Sequence, residues 1–425
     1  MTQLYAFTSA ACNYLPKVRL LIQSLKRYHP EIRLVLALSD HLTDPELLRG
    51  EAWDEIMPID TLDIPDWWRW AFTHDIVELS TAIKPFVLSR LLDRPDCGGV
   101  FYFDPDMVLF SRLDDLIGRM GESDILLTPH QNKPEVGLAQ VMDNEISSLK
   151  HGIYNLGFIG VRPSSTGRTF ARWWADRVYY FCRDDIPNGL FTDQRWIDLA
   201  PALFDGVEVM RSSRFNVAPW NLTTRKLSGN LESGFLVDGE PLGFYHFTGF
   251  DSGAHHVMVG KYCGENPSVH ALVNWYEQET SGWKDDPLSR QPWAFGRFSD
   301  GSPINRAHRL VFRSRPDLQQ RFPDPFAVSD REGGFAAWCR RRGAREYPDL
   351  LPEPRKNADW SRVTGQLIPS LAPSEIAAQP LSARLQAAAT DPKQARLLWQ
   401  QVTRIVKREG LGGLARRIGR AMRRG

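Results

Sequence analysis

The sequence predicts an α/β domain on a mainly parallel sheet, followed by a smaller C-terminal appendage. Three observations carry this. Short apolar runs alternate with segments of helical period through the N-terminal half, the early strands end in polar residues, and one fully apolar strand ends in two carboxylates. In order, "QLYAFTSA" reads as a strand that runs into a Ser/Thr/Asn-rich loop. A helix follows from about Lys17 to His29, with Val18, Leu21, Ile22, Leu25 and Tyr28 at helical spacing. "RLVLALSD" is the second strand, and "ELSTAIKPFVLSRLLDR" is a helix entered near Ser80, with Pro85 tolerable in its first turn. "GGVFYFDPDMVLF" (Gly98–Phe110) opens on a glycine pair and has the apolar continuity of a buried central strand. Further on come the strand "GIYNLGFIGVRP", the amphipathic helix "TGRTFARWWADRVYYFC" and "DQRWIDLAPALF", where Asp193 has the place of a helix cap. "RFNVAPWNL" and "LGFYHFTGF" close the first domain, giving divisions at 1–270, 271–353 (packed appendage) and 354–425 (linker and helical tail).

Of 425 residues, 42% are apolar and 24% charged, the balance of a globular protein. The five cysteines (Cys12, Cys97, Cys182, Cys263, Cys339) are far apart and never spaced as CxxC, which speaks against a disulfide framework or a zinc site and fits a reducing cytoplasm. The N-terminal stretch has no basic segment leading into an apolar one, and no run reaches the length of a membrane span. Eight Lys/Arg against one Glu from Arg404 to Gly425 give that tail +7; with the chain at +1, the remainder carries −6. That body offers no basic excess for nucleic acid. On the tail, Leu411, Leu414, Ala415, Ile418 and Met422 fall on one helical face with arginines elsewhere, the pattern of a helix lying on an anionic membrane surface. Glycines at 410, 412, 413 and 419 weaken that helix, so a disordered or partner-binding tail is the alternative.

Pro105 restricts Asp104 to an extended backbone, and in an extended chain side chains two apart project to one side. Asp104 and Asp106 are therefore expected to converge beyond the strand end, where two carboxylates need a proton or a cation between them. A divalent metal site, a phosphatase-type Asp nucleophile with its partner and a solvated turn all fit that pattern.

Taken together, "CNYLPKVRLLIQSL", "STAIKPFVL", "FDPDMVLF", "YNLGFIGV" with "DQRWIDL" and "SRFNVAPWNL", and "YHFTGF" resemble, in order over about residues 1–255, the retaining GT-A glycosyltransferases of family 8. This is the family of the bacterial lipooligosaccharide galactosyltransferases and glycogenin. The resemblance implies a GT-A fold with a Rossmann-like mixed sheet, and a metal set of Asp104, Asp106 and His246 holding Mn²⁺ or Mg²⁺. It implies Thr8, Asn13 and Tyr14 at the nucleoside, Lys84 reaching the donor, and Asn155 lining the donor sugar, with Asn216 and Asn221 either beside it or bonding the backbone at a strand end. Asp193 and Gln194 would lie by the anomeric carbon. The donor would be a nucleotide-diphosphate sugar, a UDP-sugar first, and the acceptor a saccharide or glycolipid. Transfer would keep the configuration, in bacterial surface polysaccharide synthesis, by a cytoplasmic protein peripheral to the inner face of the membrane. In the family the last motif continues into Lys-Pro-Trp, whose lysine grips the pyrophosphate; here it continues "FDSGAHHVMVGK", leaving Lys84 or Lys261 for that contact. His255 and His256 are alternative ligands or part of a solvated loop. Trp67, Trp68 and Trp70 stack on an acceptor or pack in the core. Two rivals remain: a haloacid-dehalogenase-type phosphohydrolase and a non-catalytic sugar-binding module of the same fold.

Overall fold

The structure, a computed structural model, describes residues 2–42, 45–328, 334–348, 351, 399 and 402–403. The chain runs through β1 (Gln3–Ala10), β2 (Arg33–Leu38), β3 (Glu55–Pro58), β4 (Cys97–Phe103), β5 (Met107–Leu109), β6 (Ile125–Pro129) and β7 (Tyr154–Val161). A hairpin of β8 (Arg183–Asp185) and β9 (Leu190–Thr192) precedes β10 (Val207–Val209). Among the described residues the largest sheet has seven strands in the order β10-β6-β7-β4-β1-β2-β3. Strands β1, β2, β3 and β4 pair in parallel, as do β6 and β10, while β7 runs antiparallel to both β4 and β6. The Rossmann-like mixed α/β sheet expected from the sequence is present. Strand β1 lies between β2 and β4, so the connections leave its two sides in different directions and open a crevice at the carboxyl ends of β1 and β4.

Helix α1 (Leu15–Tyr28) starts with Pro16 in its first turn and buries Val18, Leu21, Ile22 and Leu25 against Leu34, Leu36, Phe101 and Phe103 of the sheet. Trp67, Trp68 and Trp70 lie on α2 (Trp67–Phe72). Trp70 is buried and stacks on Tyr179, and Trp68 packs on Phe326 with centroids 4.7 Å apart, so these tryptophans serve packing.

The single helix expected from Ser80 is two. α3 (Ile76–Ala82) starts four residues earlier, because Asp75 accepts from the N–H groups of Val77 and Glu78 and Glu78 reaches back to the Asp75 N–H. Pro85 has no N–H to continue that helix, and α4 (Lys84–Leu92) restarts with Pro85 in its first turn. The restart is what puts Lys84 at a helix N-terminus, on the sheet side.

Downstream, β11 (Leu227–Asn230), β12 (Gly234–Val237) and β13 (Glu240–Pro241) form a small antiparallel sheet, and β14 (Phe244–His246) pairs antiparallel with β5. The helix Pro267–Thr280, capped by Asn266, runs across position 270. Beyond it, Trp293 Nε1 donates to the Ser39 carbonyl, Arg309 donates to the carbonyls of Phe72 and Phe295, and Phe72 sits among Phe298, Phe312, Phe326 and Phe335. Met1–Asp359 form one compact unit and Trp360–Gly425 a second. The apolar face expected on the tail lies outside the described residues. No described helix is long and apolar enough to cross a membrane.

Candidate active site

Strand β4 is buried from Gly99 to Phe103, and the chain then turns. The Met107 N–H donates to the Asp104 carbonyl at 3.1 Å, closing a turn with Pro105 at its second position. Asp104 and Asp106 thus converge through a turn, not through the extended pleat expected from the Pro105 restriction. The turn also sends Met107 straight into β5, whose partner β14 sets His246 opposite Met107. The Phe247 N–H then donates to the Asp106 carbonyl at 2.9 Å. As a result His246 Nε2 lies 3.1 Å from Asp106 Oδ1 and 3.6 Å from Asp104 Oδ2. One ligand atom from each of the three residues falls within 4.8 Å of the others.

Burial presses the His246 imidazolium toward neutrality, but Asp106 and then Asp104 outweigh it and raise its pKa. Burial likewise pushes the Asp106 carboxyl up, and His246 outweighs it, so the net shift is downward. Both carboxylates thus favour positive charge at the point between them. The buried Nδ1 of His246 has no hydrogen-bond partner. Two carboxylate oxygens and an imidazole nitrogen fit Mn²⁺ or Mg²⁺, the nitrogen favouring Mn²⁺.

Beneath this group lies a second charged cluster. Lys84, 3% exposed, places Nζ 3.3 Å from Asp104 Oδ1, 3.2 Å from Asp193 Oδ2 and 3.3 Å from the Leu156 carbonyl. Burial works to lower its pKa, and Asp104 and Asp193 more than offset that. Tyr102 donates to Asp104 Oδ1 at 2.5 Å and its ring lies 4.3 Å from the Lys84 ammonium. Asp193 is not a helix cap, as its sequence position had allowed; it is fully buried and pairs with Lys84. Burial raises its carboxyl, with Lys84 pulling the other way. Thr192, just before it, has φ 45°, a left-handed conformation that is costly for a β-branched residue, and this bend sets the approach to Asp193.

An amide network borders the pair. Antiparallel β7 brings its N-terminal end beside Asp104, whose N–H donates to the Gly157 carbonyl at 2.7 Å. Asn155 Oδ1 accepts from the Gly157 N–H and from Asn216 Nδ2, and Asn155 Nδ2 meets His130 Nε2 at 3.0 Å. Asn216 sits at φ 52°, which Asn tolerates, and Asn221 donates to the carbonyls of His130 and Asn216. Burial drops the His130 pKa to about 4, so its ring is neutral. Gln194 Oε1 accepts from the Leu156 N–H at 2.8 Å while Nε2 donates to the His151 carbonyl at 3.0 Å. Gly157 is required here: a Cβ would come within 2.7 Å of His246 Cε1 and strike the Met107 methyl.

At the crevice rim, Thr8 lies buried in β1 with an unpartnered hydroxyl, and Asn13 and Tyr14 are half-buried on the turn that leads into α1. The Cys12 N–H donates to Asp40, which fixes that turn to the end of β2. Of the residues weighed as alternatives, His255 and His256 lie on a helix, Ala254–Tyr262, not in a solvated loop. His255 is buried against the Tyr245 hydroxyl and His256 faces Glu277. Lys261 pairs with Asp143, away from the acidic pair's own partners.

Sequence reasoning missed Tyr102, Lys17 and His130. Tyr102 had a signal, since it lies two residues before Asp104 on the strand and hence on the same side. Lys17 and His130 had none: each meets its partners through contacts far apart in sequence.

No family model matches the chain. Two uncharacterised proteins of Bacillus subtilis (strain 168) are similar to part of it. YfnF is 26% identical over 252 residues, spanning 57% of this chain and 82% of YfnF. YfnD is 24% identical over 255 residues, spanning 59% and 79%. Similar solved structures include the galactosyltransferase LgtC in complex with donor and acceptor sugar analogues (14% identity, 61% of this chain, 96% of that chain, TM-score 0.36). They also include a glycosyltransferase involved in the glycosylation of the major capsid of PBCV-1 (9%, 60%, 98%, TM-score 0.34) and mouse xyloside xylosyltransferase 1 (12%, 58%, 98%, TM-score 0.34).

Proposed function

We propose that the chain is a divalent-cation-dependent glycosyltransferase of the GT-A kind, moving a sugar from a nucleotide-diphosphate sugar, UDP-linked first, to a saccharide or glycolipid with retention of configuration. The observation that carries this is the convergence of Asp104, Asp106 and His246 at the carboxyl end of β4, above the buried Lys84–Asp193 pair. A cation held by these three residues supplies Lewis-acid stabilisation to the negative charge on a departing diphosphate. Lys84 neutralises Asp104 and Asp193 from below and fixes both carboxylates in place. Asp193, oriented in this way, accepts from hydroxyls of the donor sugar. Gln194 is held at both ends of its amide, and the second lone pair of its carbonyl oxygen is left for a cationic anomeric centre. Asn155 and Asn216, locked to each other and to His130, form the wall of the donor-sugar site.

A haloacid-dehalogenase-type phosphohydrolase would use the first aspartate as a nucleophile. Asp104 is instead tied to Lys84 and Tyr102 and follows the fourth strand of the fold. In this proposal residues 1–270 are catalytic, 271–353 an appendage, and 354–425 a linker and basic tail that docks on the inner membrane face, in surface polysaccharide synthesis. An amide without a free carboxylate suits retention: a front-face route lets the departing phosphate take the acceptor proton, and an inverting enzyme needs a carboxylate base at the acceptor. Proton NMR of the first-formed product tests this. An α-linked nucleotide sugar should give an α-glycoside, and a β-product would refute the mechanism.

A further inference from the structure

We propose that Lys17 grips the diphosphate of the donor and that Asp251 holds its ammonium in reserve until the donor arrives; this deepens the glycosyltransferase reading and rests on it. Lys17 stands in the first turn of α1 with its side chain only 4% exposed, which is rare for a lysine without a strong partner. Its ammonium pairs with the Asp251 carboxylate and lies 4.0 Å from the centroid of Trp283 and 4.9 Å from that of Tyr14. The pair is asymmetric, because the Asp251 side chain is 50% exposed. A buried cation is thus covered by one carboxylate that water can reach. Asp251 sits on a short turn between Gly249 and Gly253, both at positive φ (69° and 78°), which glycine adopts without strain.

The location fits a diphosphate at the acidic pair. Asp251 follows His246 by five residues, and the intervening Phe247 is bonded to the Asp106 carbonyl. Phe247 and Phe250, the residue before Asp251, both pack on Tyr276 with centroids 3.7 and 4.8 Å away, and the Lys17 ammonium lies 4.9 Å from the Tyr14 ring at the crevice rim. The acidic pair and the Lys17–Asp251 pair therefore share one neighbourhood.

Charge supplies the reason. Asp104, Asp106 and Asp193 are matched by Lys84 and one divalent cation, three charges of each sign. The diphosphate of a nucleotide sugar brings two ionised oxygens that this set leaves unmatched. Lys84 is already shared between two carboxylates, and Lys261 belongs to Asp143. Lys17 is a buried ammonium in this neighbourhood, and its partner Asp251 is half exposed. The Asp251 carboxylate occupies, within the chain, the role that a phosphate oxygen takes over.

The test uses the full chain, calorimetric titration at fixed Mn²⁺, and UDP, GDP, CDP and ADP as probes. Lys17→Met keeps the aliphatic stem against Tyr14 and Trp283. It should weaken the best-bound diphosphate roughly ten- to a hundredfold, the size of a charge-assisted contact, while Mn²⁺ alone, followed by electron paramagnetic resonance, binds as before. Asp251→Asn should act in the opposite direction and tighten the same diphosphate, because it frees Lys17. A merely structural role for the pair would not produce effects of opposite sign. Diphosphate affinity unchanged in Lys17→Met, or unchanged or weakened in Asp251→Asn, overturns the assignment. Should Lys17→Met fail to fold, Asp251→Asn alone decides. If the unsubstituted chain binds none of the four diphosphates with Mn²⁺, the glycosyltransferase reading falls, and this assignment falls with it.

Discussion

Replacing Lys84 by methionine removes the one charge that makes the floor of the site stable. Met preserves the length and apolar stem of the side chain, so the packing against Tyr102 is largely kept. What disappears is the ammonium 3.2 Å from Asp193 and 3.3 Å from Asp104. Asp104 can turn to water, since its side chain is 24% exposed, but Asp193 is 2% exposed and cannot. Leaving one partner of a buried ion pair uncompensated costs about 3–5 kcal/mol, a large part of a typical stability of about 5–15 kcal/mol. Burial already raises the Asp193 carboxyl against the pull of Lys84, so without the lysine it rises further. A folded-state pKa above the unfolded one means that stability is complete below the unfolded value and is lost as pH rises through the folded one. The deficit of Lys84→Met relative to the parent should therefore be largest near neutral pH and shrink toward pH about 4. Urea unfolding of parent and variant at several pH values gives the difference. Lys84→Met combined with Asp193→Leu removes both charges and should recover most of the loss. A loss under about 1 kcal/mol, or a double variant no more stable than the single one, would refute the claim that this pair is buried and coupled.

Gly157→Ala should cost about 1–3 kcal/mol by overpacking. It should also lower Mn²⁺ affinity, because the new methyl meets His246 Cε1; unchanged Mn²⁺ binding would show that His246 is not pinned by Gly157. Acid should weaken the fold through its buried neutral histidines. Burial lowers His74 to about 3 and His130 to about 4, so below their usual value of 6.5 the unfolded chain binds more protons and stability falls with pH. Each contributes at most about 1.4 kcal/mol per pH unit in that window, and His74→Gln should lose less than the parent between about pH 7 and pH 5. Equal losses would place His74 outside this balance.

Local pattern made the sheet and half of the site legible. The apolar continuity of Val100–Phe103 and the acids after it identify a buried strand that ends in charge, and that is where Asp104 and Asp106 lie. The way they converge was not legible, because Met107 must pair with the distant β14 before the turn at Pro105 is fixed. The start of α3 at Ile76 follows from Asp75 acting as a cap, and its break at Ile83 from Pro85, two signals present in the sequence beneath the longer apolar period. Asp193 looked like a cap since its charged partner, Lys84, is more than a hundred residues away. The same distance in sequence hid Lys17 and Asp251, whose opposite charges meet only when α1 and the segment after His246 fold together.

In the proposed site Asp104, Asp106 and His246 hold a divalent cation for a nucleoside diphosphate. Calorimetric titration of UDP, GDP, CDP and ADP into the full chain, with Mn²⁺ and then with chelator, tests it most directly. Affinity for one of them should depend on Mn²⁺, and Asp106→Asn should abolish that dependence while its unfolding curve stays close to the parent's. Equal affinity with and without the metal, or an Asp106→Asn chain that keeps the metal dependence, would contradict the account.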